Sequence, residues 1–100
     1  MRTHKPPSDL KFAESLAIQA ISFLAAEPER LSRFLALTGI DPVEIRQLAG
    51  QPAFLAAVLE HICGDDRLQG AFAAEIGCDP AVVDRARTWL AGHDWERDTP

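Results

Sequence analysis

The sequence predicts an all-α fold, a compact bundle of about six short helices. Three observations carry that expectation. Apolar residues recur every three or four positions along most of the chain, and no stretch alternates with the period of two that a half-buried strand needs. Between the apolar stretches stand glycine, aspartate and proline in the order that ends one helix and begins the next. A chain of 100 residues, 47% of them apolar, suits one domain with one core.

Residues 1–8, polar and broken by Pro6-Pro7, read as an N-terminal tail. The first helix is expected from about Asp9 to Ala26, with Ser8 or Asp9 as N-cap. Its polar residues Lys11, Ser15, Gln19 and Ser22 form only a narrow stripe, so it is expected to be the central helix. Pro28 suits the first turn of a second helix, which Leu31, Phe34 and Leu35 bury and Gly39 ends. Asp41 caps a short third helix from Pro42 to about Gly50. Pro52 opens a fourth, with Phe54, Leu55, Val58, Leu59 and Ile62 on one stripe, stopping at Gly64. Asp65 or Asp66 starts a fifth, with Leu68, Phe72 and Ile76 four apart. Asp79 and Pro80 open a sixth, whose buried face is Val82, Val83, Ala86, Trp89 and Leu90. The helical domain thus spans 9–92, and 93–100 reads as a C-terminal tail. The expected core is Leu16, Ile21, Leu24, Phe34, Leu35, Phe54, Val58, Phe72, Val83 and Leu90.

The segment Phe34-x4-Gly39-x-Asp41-Pro42-x2-Ile45 recurs as Phe72-x4-Gly77-x-Asp79-Pro80-x2-Val83, at an offset of 38 (72 − 34). Upstream, Arg30-Leu31 matches Arg67-Leu68, and Ile18 and Ile21 match Leu55 and Val58, at an offset of 37 (67 − 30). Two pseudo-repeated three-helix halves account for this, and so does good connector chemistry reached twice independently. Two units are too few for an open solenoid, so a closed bundle is expected.

The net charge is −5 and the ten basic residues include no run of three. Nucleic-acid binders neutralise phosphates with clustered Lys and Arg, so nucleic acid and anionic membrane are not the expected partners. Leu10–Ala26 is interrupted by Lys11, Glu14, Ser15, Gln19 and Ser22, and is neither a signal-peptide core nor a membrane span. Two cysteines make no disulfide framework, which points to a reduced, cytoplasmic setting.

The soft-metal candidates are Cys63, Cys78, His61 and His93. His61-x-Cys63 is the one close pair, and residues two apart on a helix diverge by about 200°. No metal or other cofactor is expected, and the cysteines read as small apolar residues. There is no nucleophile motif, no phosphate-cradling glycine loop and no calcium loop. Asp65-Asp66 suits a helix start, and Asp94-x-Glu96-x-Asp98 falls in the tail. The chain is therefore not expected to be an enzyme.

Residues 72–90 have the spacing of a helix-turn-helix, with small Ala73, turn Gly77 and apolar Val83. In that reading the second helix would offer Arg85 and Arg87 to phosphate, with Asp79 and Asp84 offsetting them. Trp95, in a polar tail, either docks back beside Trp89 or is offered to a partner.

Residues about 12–91 resemble a family of short bacterial helical proteins of unknown function. The resemblance rests on Glu14-x2-Ala17-x2-Ala20, on Pro28-Glu29-Arg30-Leu31-x2-Phe34-Leu35-Ala36-Leu37-Thr38-Gly39-Ile40-Asp41-Pro42, on Phe54–Leu59, and on Phe72-Ala73-x-Glu75-x-Gly77-x-Asp79-Pro80. It implies a small helical protein and brings no catalytic residue with it. His61, Cys63 and Trp95 are not among the matched positions. The expected function is a non-catalytic protein-interaction module or adaptor, binding a protein partner or itself through Arg85, Arg87, Thr88 and Trp95. The alternative is a nucleic-acid binder using the 72–90 helix pair.

Overall fold

Proline and aspartate set the helix starts in the computed structural model, which describes the backbone of residues 7–97 and the side chains of residues 10–91. The chain runs α1 (Pro7–Ala25), α2 (Pro28–Thr38), a 3-10 turn (Pro42–Glu44) leading into α3 (Ile45–Leu48), α4 (Pro52–Cys63), α5 (Asp66–Ile76) and α6 (Pro80–Arg97). No described residue is in a strand. The all-α bundle expected from the sequence is the fold found.

The connectors use the expected chemistry. Asp41 Oδ1 accepts from the Val43 amide at 3.0 Å, and Asp79 Oδ1 accepts from the Ala81 amide at 2.9 Å. Asp65, rather than Asp66, caps α5, taking the Arg67 and Leu68 amides. Gly39 and Gly77 adopt left-handed φ of 73° and 76°, which a side chain at those positions would disfavour. Their stops differ in detail. The Gly39 amide donates to Leu35 O alone, whereas Gly77 and Cys78 donate to Ala74 O and Ala73 O in a Schellman arrangement.

The outer bounds differ from those expected. The first helix begins at Pro7, inside the expected tail, because proline is at home in a first turn. Its caps at Ser8 or Asp9 are therefore not the helix start. The last helix continues through Gly92 to Arg97. Gly39 and Gly77 are each followed three residues on by a proline, but Gly92 is followed by Trp95, and glycine alone costs a helix only about 1 kcal/mol.

Helices α1, α4 and α6 pack against one another, with α2 laid on α1 and α5 on α4 and α6. Ala13, Ala17 and Ala20 are buried on α1, so its neighbours approach closely. The central position expected of α1 alone is shared by the three, since Phe12 and Ile18 stay 45% and 49% exposed. Of the expected core, Ile21 and Leu35 are half-buried at its edge, and the other eight are buried. The one buried polar side chain among those described, Gln69, donates from Nε2 to Pro80 O at 3.0 Å and ties α5 to the start of α6.

Between α1 and α4 the buried positions correspond at an offset of 38, not 37. Leu16, Ala17, Ala20 and Leu24 correspond to Phe54, Leu55, Val58 and Ile62, and all eight are buried. The expected match of Ile18 to Leu55 fails because one is exposed and the other buried. The same offset relates contacts: Phe34 meets the His61 ring edge-on at 5.1 Å, and Phe72 meets the Phe23 ring at 5.2 Å. The halves diverge in their third helix. Gly50 and Pro52 stop α3 early, where α6 has Thr88 and Leu90 and continues.

Replacing Asp79 with Ala is expected to cost about 1 kcal/mol, and Asp41→Ala a similar amount, by urea unfolding. No change in either midpoint would refute the capping assignment.

Candidate functional site

A groove of about 760 Å³ opens between the outer side of α2, the C-terminal turn of α4 and the first turn of α5. Glu29, Arg33 and Leu37 stand four apart on α2 and so share one stripe facing it. Leu37 is 71% exposed although it sits within this concavity. Opposite are Glu60, His61, Arg67 and Leu68, while Arg30 closes one end with its guanidinium 4.2 Å from the Phe23 ring centroid. Asp65 also lines the groove, its carboxylate turned to the α5 amides.

Phe34 holds this wall in place. It is the buried residue of α2, and its ring packs edge-on against Phe54 at 6.2 Å as well as against His61. Partial burial lowers the His61 pKa below its ordinary 6.5, with Asp65 opposing and Arg33 assisting. At neutral pH the imidazole is therefore uncharged, and the groove offers guanidinium donors, carboxylate acceptors and an apolar floor.

Cys63 does not join His61. It faces α6, in a separate concavity of about 280 Å³ with Glu60, Asp84 and Arg87. Burial, then the adjacent Asp84, push its thiol up to about 11, against a smaller opposing effect of Arg87. Cys78 is also raised, by burial and then by Asp79. Such thiols are poor nucleophiles and poor ligands at neutral pH. Among the described residues no three His, Cys, Asp or Glu side chains form a group that could hold a metal ion. His93 lies outside the described side chains.

The residues singled out on the last helix are not brought together. Arg85 and Arg87 are two positions apart on α6, about 200° around its axis, and so flank the exposed face from opposite sides. Arg87 turns toward Asp84, 3.9 Å away, and Thr88 donates its hydroxyl to Asp84 O within the helix. Trp95 lies outside the described side chains. In the 72–90 pair, Ala73 and Val83 are buried and Gly77 makes the turn, so the helix-turn-helix spacing serves packing. The exposed start of α6 presents Asp79 and Asp84 beside Arg85.

Sequence reading missed the groove. One signal was present: at the corrected offset His61 stands where the other half has the core residue Phe23, and Leu37 stands where it has Glu75.

Residues 11–93 match the family model described as a protein of unknown function (DUF3572). The chain belongs to this family. No curated protein and no solved structure matches it. No described helix is long and apolar enough to cross a membrane.

Two titrations follow from the site. Below about pH 6.5 the unfolded imidazole of His61 takes up a proton that the folded one resists, so stability present above that pH is lost as pH falls. The urea midpoint is expected to drop between about pH 7.5 and 5.5, and less so in His61→Phe; an equal drop in both would refute the assignment. In a Cys78→Ser background, alkylation of Cys63 is expected to keep accelerating with pH toward about 11, and an inflection at an ordinary thiol pKa would contradict its burial.

Proposed function

We propose that this chain is a non-catalytic protein-interaction module whose docking surface is the groove between α2, α4 and α5. The observation that carries this reading is Leu37, an apolar side chain 71% exposed between Arg33 and Arg67 on the groove's opposite walls. An apolar anchor rimmed by guanidinium donors is the composition of an interface hot spot. The polar groups that line the groove are guanidiniums, carboxylates and the His61 imidazole, with no hydroxyl or thiol nucleophile among them. No serine, threonine or cysteine lines the groove among the described residues. The Thr38 hydroxyl donates to Phe34 O, and that of Thr88 to Asp84 O.

The second reading, a helix-turn-helix nucleic-acid binder, is favoured by the α5–α6 pair, which the Gln69 side chain joins through its bond to Pro80 O. Against it stand the carboxylates at the start of α6 and the net charge of −5. A reading helix needs donors where this one has Asp79 and Asp84.

Capture from a native cell lysate on the tagged chain, with and without nuclease, separates the two. One stoichiometric protein, retained after nuclease and lost at least about tenfold with Leu37→Glu, is the expected result. Retention that survives Leu37→Glu would overturn the assignment of the groove, and retention that depends on nucleic acid would replace it with the second reading.

A further inference from the structure

The two outer helices are seated differently. At the offset of 38, Phe34 against His61 corresponds to Phe72 against Phe23, with ring centroids 5.1 and 5.2 Å apart. One ring of the first pair can take up a proton, and neither ring of the second can. Each helix also walls a groove, α2 the one described above and α5 a second, of about 520 Å³, beside the C-terminal turn of α1. They differ in what else holds them. On α5, Gln69 and Ala73 are buried with Phe72, and Gln69 is bonded to Pro80 O. On α2, Phe34 is the one buried residue, with Leu31 and Leu35 half-buried on the same helix. A short helix with so little buried is the element that opens ahead of the rest of a fold.

Burial, rather than net charge, sets how His61 meets a proton. The charged groups around it are Glu29 and Arg33 from α2, Glu60 from α4 itself, and Asp65 and Arg67 from the start of α5. Arg30 is turned over the Phe23 ring, and Asp65 is engaged by two amides. Helices α1, α3 and α6 place no charged group in the lining, and Asp84 and Arg87 of α6 face Cys63 instead. The exposed carboxylates Glu29 and Glu60 are matched by the exposed guanidiniums Arg33 and Arg67. Partial burial therefore decides: it outweighs Asp65, which favours the proton, and Arg33 adds to it. On its inner side the imidazole meets Phe34, which has no oxygen to accept from a new N–H, whereas carboxylates stand in the groove. A charged ring is drawn outward, off Phe34.

We propose that α2 is an acid-released wall: a proton on His61 draws the imidazole into the groove, unseats Phe34 and lets α2 lift from the core. As a control on docking this rests on the interaction-module reading above, because the wall that lifts carries Leu37. With α2 lifted, the imidazole is solvated and titrates near its ordinary 6.5. With α2 seated it titrates lower, so acid favours the lifted state. Between about pH 7.5 and 5.5 the lifted population grows at most about tenfold, the limit for an imidazole that titrates only when α2 is lifted. The seat of α5 has no such dependence, since Phe23 carries no proton.

Amide hydrogen exchange on the wild-type chain, resolved by NMR and expressed as protection factors, tests this. At about pH 7.5 the amides of residues 32–38 on α2 are expected to be less protected than those of residues 69–76 on α5. They are also expected to keep that protection in urea below the unfolding midpoint, as a local opening does. At about pH 5.5 the α2 protection is expected to fall by about two- to tenfold. It is expected to stay level in His61→Phe, which copies the seat of α5, and in His61→Gln, which cannot hold the charge. A fall that persists in either folded variant, or α2 protection unchanged by acid in wild type, would overturn the proposal. So would α2 amides that share the protection and the urea dependence of α5. Exchange needs no docking partner. An acid-insensitive α2 in a chain that shows Leu37-dependent capture overturns the release and leaves the interaction-module reading intact. An acid-released α2 in a chain that captures no protein does the reverse.

Discussion

The outer helices of this molecule hang on two phenylalanines. Phe34 is the buried residue of α2, and Phe72 is the large apolar residue buried on α5. Each inserts beside an aromatic ring on the neighbouring inner helix, His61 for one and Phe23 for the other. A helix of 11 residues has little intrinsic stability in water, so its position comes from what it buries. The direction of each outer helix, and hence each groove wall, follows from where its phenylalanine enters the α1–α4–α6 core. Removing either ring would cost the molecule a surface as well as buried area.

Much of this was legible in the residues. Proline at a first helical turn, aspartate with a free carboxylate one residue ahead, and glycine at a left-handed stop act through local sterics and hydrogen bonds. They need no tertiary context, and they placed every internal helix start to within a residue or two except that of α3, where Pro42 opens a 3-10 turn and the α-helix begins only at Ile45. The ends of the chain obeyed weaker signals. A proline pair can open a helix as well as mark a tail, and a glycine without a following proline need not close one. The burial of α1 was overread because its apolar residues cover more of its circumference than its neighbours do, leaving Ile18 and Phe12 uncovered.

The grooves were harder to read for a different reason. Helical periodicity tells which side chains leave the core, but not which outward stripes of separate helices converge. The stripe of Glu29, Arg33 and Leu37 was plain enough as an outer face of α2. That it looks across at His61 and Arg67 depends on how α2 lies over the end of α4. The repeat gives a hint only when the offset of 38 is carried into the first helix, since His61 then occupies the position of a core aromatic. At that offset a polar ring, half-buried and with a lowered pKa, stands where the other half has a buried phenyl ring.

The break between α3 and α4 carries a topological consequence. Only Ala49, Gly50 and Gln51 separate these helices, and Pro52 restarts the chain in a new direction. Were the break erased, one continuous rod from Pro42 to Cys63 would result, 22 residues (63 − 42 + 1) or about 33 Å long. Those three residues are therefore what lets α4 lie beside α1 and α6 instead of extending α3.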